Sequence, residues 1–272
     1  MKIVSFFEGL NLKQIQEIID TRPNYLLGYY KNESLYELME SGYRFSVFKI
    51  NLSLDFFVKG TINALKIKNE KIYKNKDVIF VLPKKLFLTK KNYEEVIQRI
   101  NTLIRFSKKN KFKMNIQLTS QNYKNMINLL KPFKHENIGL VFDPAKILFD
   151  RGSILSLYRG LKKYITFVVC NDFLKRKKAA LMGYGKTQIL DLFKRMNENS
   201  FRGYLILDPD FIRIVKRISK RNNFITKLFN QKIKKEYLRL KKLLDLDINR
   251  NDITIEDIYI NQYELLKLVF GN

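Results

Sequence analysis

Residues 165–209, ITFVVCNDFLKRKKAALMGYGKTQILDLFKRMNENSFRGYLILDP, decide the fold class. ITFVVCNDF is an apolar run of the kind found in strands buried on both faces. After a basic loop and the pair Gly183 and Gly185, residues Ile189, Leu190, Leu192, Phe193 and Met196 recur at helical spacing. FRGYLILDP is a second apolar run. Two strands joined by a helix are the unit of a parallel sheet, because parallel neighbours need a long crossover connection.

Working outward, the same unit recurs. NIGLVFDPAKI reads as a strand, with a helix on Ile154, Leu155, Leu157, Tyr158 and Leu161. FKMNIQLTS precedes a helix on Tyr123, Met126, Ile127 and Leu130. DVIFVLPKK precedes Thr89 and the best amphipathic run of the chain, Tyr93, Val96, Ile97, Ile100, Leu103 and Ile104. Nearer the N-terminus, KIVSFFEG leads to a helix capped by Asn11 and carrying Leu12, Ile15, Ile18 and Ile19. NYLLGYY and YRFSVFKINLS follow, with helices expected over 32–42 and 55–68. Eight such units fit a chain of 272 residues, since a (β/α)8 barrel takes roughly 250. The absence of a Gly-x-Gly-x-x-Gly turn disfavours an open doubly wound sheet. The expected fold is α/β, a (β/α)8 TIM barrel over residues 1–210. Residues 211–272 would supply the last barrel helix and a basic, mostly helical C-terminal extension packed on the barrel.

Composition narrows the function classes. No apolar run reaches the roughly 18 residues of a membrane-spanning helix, and the first residues lack the pattern of an export signal. The lone Cys170 excludes an intrachain disulfide, so a soluble, cytoplasmic protein is expected. The formal net charge is +26, from 52 Lys and Arg against 26 Asp and Glu. Such a surface attracts polyanions. The excess is mostly lysine in a chain rich in Asn and Ile, which an AT-rich genome would also produce. The charge concentrates between Arg213 and Lys242, where Lys216, Arg217, Lys220, Arg221, Lys234 and Lys235 are candidates for binding nucleic acid or an acidic protein. Interleaved apolar residues give the same stretch a packed helical face, so a merely solvated basic side is the alternative. The last stretch, ITIEDIYINQYELLKLVFGN, is apolar enough to dock on the barrel or to form a homo-oligomer with a second subunit.

Residues 94–210 carry a family resemblance. The strands MNIQL, IGLVFDPAK and FVVCND and the segment MGYGKTQILDLFKRMNENSFRGYLILDP match in order and spacing. On them the chain resembles the xylose-isomerase-like superfamily of sugar phosphate isomerases and epimerases, which also includes the endonuclease IV type of apurinic endonuclease. Upstream of residue 75 only the strand and helix rhythm supports it.

The resemblance implies a divalent metal held by four ligands, and at the strand ends this chain departs from the family pattern. Gln117 stands where the family has a glutamate, Lys146 and Val169 stand where it has histidines, and Asp208 stands where it has a second glutamate. Asp143, followed by Pro144, and Asp172 are kept. His135 lies before its strand and cannot replace a missing ligand.

By resemblance, Asp143, Asp208 and Gln117 are the candidate catalytic residues and the candidate holders of a divalent ion such as Mg or Mn. The family would use them to move a proton between neighbouring carbons while the metal stabilises an enediolate. Lys84, Lys146, Asp172 and Lys186 are the candidate substrate-binding residues, the lysines for the phosphate of a sugar. Each has a plainer reading. Asp143 can satisfy loop amides, Gly183 and Gly185 can serve a turn, and Asp172 can pair with rim lysines or arginines. Three functions remain open: a diverged sugar phosphate isomerase or epimerase with an eroded metal site, an inactive barrel kept as a binding scaffold, and a nucleic-acid-binding protein. A chain with a single histidine cannot supply the histidine-rich three-metal cluster that the endonuclease type needs.

Overall fold

The computed structural model describes residues 2–6, 13, 15–16, 18, 26–30, 44–59, 70–86, 89, 92–119, 121–133, 136, 138–174, 178–207, 213–215, 238–247 and 253–271. The strands are β1 Lys2–Phe6, β2 Leu26–Tyr30, β3 Phe45–Asn51, β4 Asp77–Val81, β5 Lys113–Gln117, β6 Ile138–Phe142, β7 Ile165–Cys170, β8 Asp172–Leu174, β9 Lys178–Ala180 and β10 Tyr204–Leu207. Eight of them close a barrel in the order β1, β2, β3, β4, β5, β6, β7, β10, and every neighbouring pair is parallel. The expected (β/α)8 architecture is therefore present.

Helices cover the outside: α1 Leu54–Lys59, α2 Tyr93–Lys109, α3 Tyr123–Leu130, α4 Pro144–Phe149, α5 Ile154–Leu161, α6 Ile189–Glu198 and α7 Ile255–Phe270. The strand pleat divides the core in two. Val4, Phe6, Val47, Ile79, Val81, Val141, Phe167, Val169 and Ile206 fill the barrel interior with Tyr204. The alternate residues, such as Val78 and Phe80 on β4 or Leu140 and Phe142 on β6, join the layer under the helices. Parity thus fixes which strand-end residues open into the barrel mouth.

The closed lower end holds a polar plug. Asn115 Nδ2 donates to Asp77 Oδ1 at 3.1 Å, and Thr166 Oγ1 donates to Asn115 Oδ1 at 2.6 Å. The β6–β7 register jumps from Leu140 opposite Ile165 to Val141 opposite Phe167, so Thr166 is the extra residue of a bulge. Gly139 leaves the room: a Cβ there would overlap both Asn115 Oδ1 and Thr166 Oγ1.

Two expected strands end early. NIGLVFDPAKI turns helical at Pro144, with Asp143 as N-cap and its side chain accepting from Lys146 N. Proline is preorganised for the first helical position, so the Asp-Pro pair begins α4 rather than continuing β6. ITFVVCNDF also breaks, because β8 leaves the barrel and pairs antiparallel with β9. At the C-terminus, Thr254 and Asp257 form a capping box at the start of α7. The helix buries Ile258, Tyr259 and Leu266 in the core, and Gln262 Oε1 accepts a hydrogen bond from Met182 N at 2.7 Å.

Candidate functional site

A cavity of about 830 Å³ opens at the carboxyl ends of the barrel strands. Its apolar floor is the top interior layer, Phe6, Val81, Val169 and Ile206. Polar groups stand above it on two arcs. Gln117 ends β5, Asp143 follows β6 and Asn171 follows β7, so the three lie on adjacent strands. Lys49 on β3 and Lys84 just after β4 lie on the neighbouring arc, and Arg213 also lines the cavity.

Asp143 is held from three directions. Its Oδ1 accepts from Lys146 N at 3.0 Å and from Asn171 Nδ2 at 3.1 Å. Its backbone N donates to the Tyr123 hydroxyl at 2.8 Å, and that hydroxyl donates to Val141 O at 3.0 Å. Burial pushes the Tyr123 hydroxyl well above its ordinary pKa, and the Asp143 charge adds to the rise. The tyrosine therefore stays protonated and acts as a bolt between α3 and the end of β6. The carboxamide oxygens of Gln117 and Asn171 are buried and have no hydrogen-bond partner. Lys146 is 9 % exposed and its Nζ pairs with Asp150 Oδ2 at 2.8 Å.

Comparison with solved structures places this geometry. A D-allulose 3-epimerase from Methylomonas sp. aligns at TM-score 0.62 and 10 % identity, over 99 % of this chain and 98 % of that one. An IolI protein with a bound zinc atom aligns at TM-score 0.60 and 15 % identity, over 100 % and 98 % of the two chains. The probable 3-DHS dehydratase AsbF of Bacillus anthracis aligns at TM-score 0.56 and 10 % identity, over 82 % of this chain and all of that one. The chain shares the TIM-barrel fold of these proteins. No family model matches the sequence, and no curated protein matches it.

The resemblance read from the sequence raises the question of a divalent metal, and the described residues do not fit one. At the positions that the resemblance assigns to ligands stand a neutral amide, Gln117, an alkyl group, Val169, and a cation, Lys146. Of the candidate metal holders Gln117, Asp143 and Asp208, Asp143 is the one carboxylate among the described residues, and its Oδ1 already accepts two hydrogen bonds. No cluster of three His, Cys, Asp or Glu gathers among the described residues. The Lys146 ammonium would repel a second cation placed beside it.

Of the residues expected from sequence, Gln117, Asp143, Lys84 and Lys146 come together on the cavity. Asp172 and Lys186 do not line it. Asp172 is 2 % exposed and its carboxylate holds the Gly183–Thr187 turn. Its Oδ1 accepts from Phe173 N at 2.8 Å, Thr187 N at 3.0 Å and Thr187 Oγ1 at 2.6 Å. Its Oδ2 accepts from Gly183 N at 3.1 Å and Gly185 N at 2.7 Å. Lys186 is exposed on that turn, its backbone N bonded to Phe173 O. Asp208, Lys216, Arg217, Lys220, Arg221, Lys234 and Lys235 lie outside the described residues, as does His135.

Sequence reading missed Lys49, Asn51, Asp150, Asn171 and Arg213 on the cavity wall. Strand parity was the available signal for three of these. Lys49 and Asn51 lie two and four residues beyond Val47, and Asn171 lies two residues beyond Val169, both valines being interior residues. Asp150 pairs with Lys146 one helical turn earlier, an i,i+4 spacing that was also legible. Nothing in the sequence singles out Arg213.

Proposed function

We propose that the barrel mouth binds a small phosphorylated sugar or polyol, and that it does so without the divalent metal of related chemistry. The carrying observation is the charge and size of the cavity. Lys49, Lys84, Lys146 and Arg213 line it against Asp143 and Asp150. Among the described residues, four cations against two carboxylates favour an anionic ligand, and about 830 Å³ lies within the range of small-molecule sites. The position supports the reading, since ligands of this fold sit at the carboxyl ends of the strands. The D-allulose 3-epimerase among the similar structures adds a sugar as the precedent for ligand class.

The reading makes the protein a sugar-phosphate-binding barrel whose metal site has eroded and whose metal-dependent isomerase or epimerase turnover has gone. Calorimetric titration with a panel of triose, pentose and hexose phosphates tests the binding, with and without a chelator. Binding that survives chelation, with no ketose–aldose exchange on adding Mg²⁺ or Mn²⁺, is expected. Exchange restored by either metal overturns the metal-free half of the reading. A panel in which no phosphorylated compound binds overturns the whole of it.

The net charge of +26 supports a second reading, in which the basic surface binds nucleic acid. A filter-binding titration with RNA and DNA at two salt concentrations tests it. Binding that survives the higher salt supports that reading. Binding seen only at low salt reports unspecific charge.

A further inference from the structure

The two arcs of the cavity differ in what they can bond. On the arc of β5, β6 and β7, the buried atoms without a partner are acceptors, the Gln117 Oε1 and Asn171 Oδ1 carbonyls, and the Asp143 carboxylate stands with them. The arc of β3 and β4 carries positive charge, on Lys49 and Lys84.

The amide of Asn171 is fixed in direction. Its Nδ2 donates to Asp143 Oδ1 at 3.1 Å, so rotating it by half a turn would set a carbonyl against a carboxylate. Its Oδ1 is therefore an acceptor facing a site, and the residue is only 4 % exposed. The Gln117 oxygen is buried likewise, and neither has a partner. Buried polar atoms are rarely left without partners in folded proteins. The missing partner is a donor, and a phosphate monoester, mostly a dianion at neutral pH, offers acceptors almost exclusively. Phosphate thus matches the lysine arc and not the amide arc, whereas sugar hydroxyls match the amide arc.

Resting on the reading of the mouth as a sugar phosphate site, we infer that Asn171 and Gln117 are its specificity-determining residues. They take two hydroxyls of the ligand as hydrogen-bond donors, which orients the sugar toward β5–β7 and the phosphate toward β3–β4. Asn171 also positions Asp143, so one side chain joins ligand orientation to the carboxylate.

Calorimetry on the full-length protein tests this with the sugar phosphate panel, propyl phosphate, inorganic phosphate and the parent sugars as probes. The best sugar phosphate is expected to bind at least about tenfold more tightly than propyl phosphate, about 1.4 kcal/mol. Asn171→Leu and Gln117→Leu should each lower that affinity about tenfold while changing propyl phosphate binding little. Lys84→Ala should weaken every phosphorylated probe by a similar factor. Circular dichroism confirms that each variant is folded, and Gln117→Leu carries the test if Asn171→Leu is not. Equal affinity of the folded amide variants and the wild-type protein for the sugar phosphate overturns the inference. So does an equal loss for propyl phosphate and sugar phosphate. Both results leave the sugar phosphate reading standing, whereas no binding of any phosphorylated probe overturns that reading as well.

Discussion

Replacing Asp172 by alanine should destabilise the whole barrel without acting through the cavity. Its carboxylate accepts five hydrogen bonds, three on Oδ1 and two on Oδ2. A hydrogen bond to a charged group contributes about 1.5–3 kcal/mol, and a buried donor left alone costs a similar amount. Gly183 is exposed and Gly185 half-buried, so water replaces the acceptor for those two N–H groups. Thr187 is fully buried, and its N–H and the Phe173 N–H lose theirs outright, while its hydroxyl keeps Asn171 O as acceptor at 3.2 Å. Two bonds at the low end give about 3 kcal/mol. At about 2–4 °C per kcal/mol for a domain of this size, the melting temperature falls by about 6–12 °C. Asp172→Asn keeps Oδ1 but turns an NH₂ toward Gly183 and Gly185, so about half that loss is expected. Gly185→Ala should act in the same direction, because a Cβ there overlaps Asp172 Oδ1. Thermal melting followed by circular dichroism gives the shift, and titration of the folded variant with sugar phosphates gives its affinity. An Asp172→Ala protein that melts within about 2 °C of the wild type, yet no longer binds ligand, refutes this reasoning and returns Asp172 to the site.

The other expectations concern the barrel floor, alkaline pH and metal. Gly139→Ala forces a methyl into Asn115 and Thr166, and overpacking of this kind costs about 1–3 kcal/mol; a denaturant midpoint equal to that of the wild type would contradict the plug. Tyr204 is pushed up to about 12 by burial, then by the charge of Asp77 and its hydrogen bond with Asp77. Because the folded value lies above the ordinary one, its stabilisation is complete below about pH 10 and is lost as pH rises through about 12. Absorbance titration of the tyrosines should show a late-ionising phase that Tyr204→Phe reduces by one tyrosine; an unchanged titration curve contradicts it. Gln117→Glu, Lys146→His and Val169→His together supply carboxylate and imidazole groups where the resemblance expects them. The triple variant should retain zinc after dialysis and melt higher in its presence, while a wild-type protein that retains equimolar zinc would contradict the misfit of the present residues.

The barrel was legible because burial on both faces writes the same apolar run at each strand, whatever the surface does. The errors came where burial continues past the end of a strand. Phe173 packs edge-on against Phe149 at 5.1 Å, so the apolar pattern of β7 runs on into β8, which pairs with β9 outside the barrel. Ala145 and Ile147 are buried on α4, and they continue the pattern of β6 past the N-cap at Asp143. The site was legible only in part, for a different reason. Family positions identify residues by alignment along the chain, and that found Gln117, Asp143 and Lys146. Lys49 and Arg213 reach the cavity from elements that carry no motif. Asp172 misled because an acidic residue at a strand end has the same sequence signal whether it faces a ligand or the amides of its own turn.

Lys146 stands where the resemblance places a histidine, and its charge has consequences for the residues around it. A buried ammonium without a counter-ion is costly, and removing one partner of a buried pair typically costs about 3–5 kcal/mol. Asp150 meets that need one turn later on the helix that Asp143 caps. The pair keeps a positive charge on the cavity wall at no net cost in charge to α4. A metal introduced beside it would have to displace or repel that ammonium, so restoring Glu at position 117 alone would not rebuild a cation site. The Asn171 amide lies on the other side of Asp143, sharing Oδ1 with the Lys146 backbone. The groups that surround Asp143 are thus donors on the protein side and acceptors on the cavity side. That arrangement suits a carboxylate reading hydroxyls and does not suit one holding an ion.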